Sequence, residues 1–94
     1  MRRLVWHDSF RRAFKKLIRN DRDLQARVFD TLGRLVEDPF EPRLKTHRLK
    51  GNLEGLWACW VEYDCRIIFL FERDPNATED AIVLVDIGSH DEVY

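Results

Sequence analysis

Ninety-four residues, 45% of them apolar and 12% aromatic, suffice for one domain around one small core. Every apolar run falls short of the roughly 20 residues that span a bilayer, and MRRLVWHDSF has neither the apolar stretch nor the cleavage site of a signal peptide, so a cytoplasmic protein with no membrane partner is expected. The net charge of −1 conceals a basic half and an acidic half: Lys and Arg outnumber Asp and Glu by seven to one over residues 1–20 and four to none over 43–50, and are outnumbered six to three over 21–42 and ten to two over 51–94.

The first element is a short run of β-formers, Leu4, Val5 and Trp6. Asp8 or Ser9 then offers an N-cap oxygen. Phe10, Phe14, Leu17 and Ile18 recur at helical spacing, with Arg11, Arg12, Lys15, Lys16 and Arg19 on the other face, which makes an amphipathic helix of about three turns. NDRD breaks that pattern and can cap a second helix built on Leu24, Val28, Leu32 and Leu35. This helix should end near Val36, because Pro39 and Pro42 follow.

The segment RLKTHRLKG is short, basic and extended. From Leu56 the period becomes two. LWACWVEY, DCRIIFLFER and AIVLVDIGS read as three strands joined by short turns, hence an antiparallel meander. The order β-α-α-β-β-β predicts an α+β fold of two layers, a helical hairpin packed on an antiparallel sheet that the first strand also joins. Cys59 and Cys65 have two readings, buried thiols or a regulated bridge across a hairpin. No spacing of the CxxC or HxxxH kind marks a metal site, and no cofactor is expected.

The residues with chemistry to offer cluster late in the chain. They are His47 in the basic segment, the hairpin Glu62–Arg66, and the tail IGSHDEVY with His90 and Tyr94. The meander brings the end of the last strand towards the start of the one before it, so Arg66 and His90 should share a sheet edge. Cleaving RNA without a metal requires a base for the 2′-hydroxyl, a cation for the phosphorane and an acid for the leaving oxygen. Histidine suits both proton transfers, arginine the cation, and a terminal aromatic can stack on a base.

The segments HRLKG, YDCRIIF and IGSHDEVY, with the element order, resemble the RelE/ParE superfamily of type II toxin–antitoxin toxins, most closely its YafQ-like (RelE/StbE) branch. The resemblance covers nearly the whole chain. It implies a ribosome-associated mRNA interferase that works without a metal, an antitoxin that wraps the toxin and blocks the site, and a complex that can assemble further and bind operator DNA. By position it implies site roles for His47, Asp64, His90 and Tyr94, and for the hairpin Arg66. Three positions depart from the pattern. Trp60 stands in place of a histidine or arginine, Asp86 in place of an arginine facing the phosphate, and Cys65 in place of an aromatic. RNA contact then falls to Arg43, Lys45, Arg48, Lys50 and Arg66, with Trp60 as a stacking platform or a packing residue at the antitoxin contact. Two further readings stay open. One is a ParE-like toxin that poisons DNA gyrase; the other is a catalytically silent relative that binds its antitoxin.

Overall fold

The computed structural model describes residues 2–93. In chain order it contains β1 (Leu4–Trp6), α1 (Asp8–Ile18), α2 (Arg22–Glu37), β2 (His47–Arg48), β3 (Trp57–Glu62), β4 (Cys65–Glu72), β5 (Ala81–Gly88) and one closing helical turn, α3 (His90–Val93). Short 3₁₀ turns at Pro42–Leu44 and Gly51–Leu53 flank β2.

The two long helices form for the reasons their spacing gives, but α1 is capped one residue earlier than expected. His7, not Asp8 or Ser9, is the N-cap: its backbone is extended and its Nδ1 accepts from the Ser9 N–H at 3.2 Å. Ser9 instead donates its hydroxyl to the Val85 carbonyl and ties the helix start to β5. Asn20, at φ 62, turns the chain out of α1, and asparagine tolerates that left-handed conformation better than most residues. Asp21 then caps α2 by accepting from the Leu24 N–H at 3.0 Å. Asp38, forced extended by Pro39, closes it.

The strands run β1-β5-β4-β3-β2 across one sheet. The meander β3-β4-β5 is antiparallel as expected, and β2 joins it antiparallel to β3. β1 lies at the far edge and pairs parallel with β5, so the sheet is mixed rather than wholly antiparallel. Parallel pairing needs a long crossover, and α1 with α2 supplies one.

The helices cover one face. Phe10, Phe14, Val28 and Leu35 pack there against Cys59, Ile67, Phe69, Ile82 and Leu84. Each such side chain removed from water contributes about 1.5–3 kcal/mol. The opposite face carries a smaller cluster of Ala58, Ile68 and Val93, with Leu49, Leu56 and Val85 against it. Val93 comes from α3, so the tail folds over the face the long helices leave open.

Cys59 and Cys65 are buried free thiols. Burial pushes both from 9.0 up to about 12. A thiol whose folded pKa lies above its unfolded one stabilises the fold fully below the unfolded value and loses that contribution as pH climbs towards the folded one. The melting temperature should therefore fall as pH rises from about 9 towards 12, and fall less steeply in Cys59→Ala. Thermal melts of both chains followed by circular dichroism measure the difference; equal slopes would contradict it.

Candidate functional site

Register decides which side chains share the open face. His47 pairs with Ala58, Ala58 with Ile68, and Ile68 with Asp86, forming one row across four strands. The next row is Trp60, Arg66 and Gly88. Ala58 and Ile68 contact Val93 on the open side, so His47, Trp60 and Arg66 belong to that side by the alternation of strands. The columns of His47 and Asp86 stand three strand spacings apart, about 14 Å.

Arg66 is 6% exposed. Its Nη1 donates to the Glu62 carbonyl at 2.9 Å and also to the Tyr63 carbonyl. It thereby fastens the β3–β4 hairpin, which contains an irregularity between Trp60 and Glu62. Its guanidinium carbon lies 4.1 Å from the centre of the Trp60 ring. The Lys45 ammonium lies 4.1 Å from the same ring. Trp60 thus carries two cations on its π-system. Asp64 is exposed in the turn at the hairpin tip, as its turn preference predicts.

Lys45 adopts the left-handed conformation, φ 50 and ψ 38, at the end of the 42–44 turn. For a lysine this is unfavourable backbone that surrounding structure must hold. Its carbonyl meets His47 Nδ1 at 2.9 Å. A carbonyl only accepts, so Nδ1 carries the proton and Nε2 is the basic nitrogen of the neutral ring. His47, Arg43, Arg48 and Lys50 are all exposed, and Arg48, next to His47 on β2, turns to the other side. Arg43 lies 3.3 Å from Glu41, and Arg48 lies 5.2 Å from the centre of the Trp57 ring.

His90 opens α3, two residues beyond Gly88, the register partner of Arg66. The expectation that Arg66 and His90 share a sheet edge is met. His90 is exposed, and its Nδ1 lies 3.7 Å from Asp91 Oδ1, an ion pair whenever the ring is protonated. Val93 packs on Ala58 and Ile68 and holds the turn of helix against the face. Tyr94 lies outside the described residues.

Asp86 is half-buried and accepts from the Ile87 N–H at 2.9 Å. It lines a cleft of about 370 Å³ with Ala13, Lys16, Leu17, Ile87 and Val93. The larger cleft, about 580 Å³, lies beyond β2 between Arg48 and Trp57. Among the described residues no group of three or more His, Cys, Asp or Glu is placed to hold a metal, and no helix is long and apolar enough to cross a membrane. Sequence reasoning missed the anchoring role of Val93 and the strain at Lys45. The first had a signal, since Val93 stands one helical turn after His90; the second had none, because any residue can follow Leu44.

The family described as "Bacterial toxin of type II toxin-antitoxin system, YafQ" matches residues 2–94. A metal-bound toxin from Helicobacter pylori superposes with a TM-score of 0.77 at 28% identity, covering 100% of both chains. YafQ from E. coli strain BL21(DE3) superposes at 0.76 with 17% identity, over 100% of this chain and 99% of that one. The toxin of the E. coli DinJ–YafQ complex gives the same values. No curated protein matches the sequence. The chain therefore belongs to the YafQ family of toxins of type II toxin–antitoxin systems.

Proposed function

We propose that this toxin is a ribosome-associated endoribonuclease that cuts messenger RNA by general acid–base chemistry without a metal. The observation that carries the reading is the row arrangement of the open face: His47 at one side, the Lys45–Trp60–Arg66 group in the middle, and His90 on the turn of helix at the other. His47 Nε2 takes the proton of the 2′-hydroxyl. The 2′-oxygen attacks phosphorus, the bond to the 5′-oxygen breaks, and protonated His90 gives that oxygen its proton. The 2′,3′-cyclic phosphate and the 5′-hydroxyl are the products. Lys45, Arg43, Arg48 and Lys50, all exposed, meet the phosphates. Buried Arg66, with Nη1 spent on carbonyls, adds positive potential beneath the face and fixes Trp60. Asp64 orients the hairpin tip at the rim, and Tyr94 stacks on a base beside the cut.

The protein partner in this reading is a cognate antitoxin, by analogy with E. coli YafQ in its complex with DinJ. It would cover the open face and the basic face of α1; the assembled complex is proposed to bind operator DNA. The test is a defined message translated in an extract with purified toxin. Cuts inside codons, with cyclic phosphate and 5′-hydroxyl ends, support the reading. An intact message at high dose contradicts it, and inhibition of gyrase supercoiling would favour the ParE-like alternative. Asp86 in the row of His47 favours the silent alternative, in which induction without antitoxin leaves cells growing.

Lys45→Gly separates charge from backbone strain. Glycine accepts φ 50 freely, so the melting temperature should stay within a few degrees of wild type. Losing one phosphate cation should lower cleavage at limiting message by about three- to tenfold. Unchanged cleavage would remove Lys45 from the site.

A further inference from the structure

Of the cleft beyond β2, about 580 Å³, only Arg48 and Lys50 have a part in the chemistry above. Its walls combine what a nucleotide needs. Arg48 and Lys50 offer cations, Leu49, Leu56 and Trp57 offer apolar and aromatic surface, and Glu54 offers an acceptor. Gly51 and Gly55 sit at φ 68 and φ 93, and a Cβ at either would meet only open space, so a flat ring can approach the backbone there. Leu49, two residues on from His47, and Leu56 carry the open-face cluster into the cleft, while Arg48 and Trp57 wall it from the helix side. A strand lying across His47 therefore enters this cleft within a nucleotide or so of the cut.

We infer that this cleft is a base-reading subsite that selects guanine in single-stranded RNA next to the scissile phosphate, with Glu54 as the reader; the RNA part of this rests on the proposed nuclease function. A carboxylate has acceptors only. On the Watson–Crick edge, guanine alone offers two adjacent donors, N1–H and the N2 amino group. Adenine and cytosine each pair one donor with an acceptor, and uracil sets one donor between two acceptors; in each of these an acceptor opposes a carboxylate oxygen. Unstacked bases of single-stranded RNA are read on that edge while stacked on aromatic or guanidinium planes, and Trp57 with Arg48, 5.2 Å apart, provides such a wall. Arg48 and Lys50 hold the flanking phosphates.

The experiment titrates the full chain with GMP, AMP, CMP and UMP and follows backbone amide shifts by NMR. GMP should move the amides of residues 48–57 and bind at least about tenfold more tightly than the other three, in keeping with the discrimination of a two-bond contact. Glu54→Gln, an exposed conservative change, should erase that preference while leaving the spectrum folded. A second arm maps cuts in a message pool randomised for two nucleotides either side of the cut. Wild type should enrich guanine at one position and Glu54→Gln should lose only that enrichment. GMP binding in the cleft without any cleavage would sink the nuclease reading and leave the subsite standing. Cleavage with the same base profile in both chains, or no preference for GMP, would overturn the subsite.

Discussion

His90→Ala is expected to reduce the rate of message cleavage by about 10²–10⁴-fold, with little change in the concentration of message needed for half-maximal rate. The residue is exposed at the start of α3 and carries an imidazole on that side of the face, whereas His47 stands on β2 across the sheet. In the proposed mechanism, removing the acid leaves a 5′-alkoxide as leaving group, which costs rate at the chemical step and not in binding. The cations proposed to meet the phosphates lie on other elements, so affinity should persist. Induction of the variant without antitoxin should accordingly permit growth where wild type arrests it. A variant that keeps the wild-type rate would move the acid elsewhere on the chain.

Phe69→Ala is expected to cost about 3–5 kcal/mol of folding stability. Phe69 is fully buried in the middle of β4, the central strand, and packs edge-to-face on Phe71 with centroids 5.4 Å apart. A domain of this size has only about 5–15 kcal/mol in total. At roughly 4–8 °C per kcal/mol, the melting temperature should fall by tens of degrees. Phe40→Ala makes the control. Phe40 is 57% exposed on the rim of the same aromatic group, and its loss should cost no more than about 1 kcal/mol. Thermal melts of the two variants would contradict this packing account if their midpoints shifted equally.

Much of this architecture was legible in the chain. Phe10, Phe14, Leu17 and Ile18 named the buried side of α1, and all four belong to the helix-side core. The change to period two at Leu56 located the meander. The parallel pairing of β1 was not legible, because three apolar residues fit either direction and a crossover as long as α1 with α2 permits both. The cap at His7 was missed because a neutral imidazole nitrogen is a rarer acceptor there than the carboxylate of Asp8. For the site, the shared neighbourhood of Arg66 and His90 followed from strand order alone. Arg66's burial did not: nothing in DCRIIF says that the guanidinium turns back onto its own hairpin carbonyls. The Lys45–Trp60 contact was hidden for a similar reason, since it depends on one left-handed residue.

The most direct measurement of the account is an NMR titration of the toxin with a short RNA carrying a single 2′-deoxy sugar at the cut, which binds without reacting. The imidazole signals of His47 and His90 and the indole N–H of Trp60 should all move, with one shared affinity. Shifts confined to the outer face of α1, with those three signals unmoved, would contradict it.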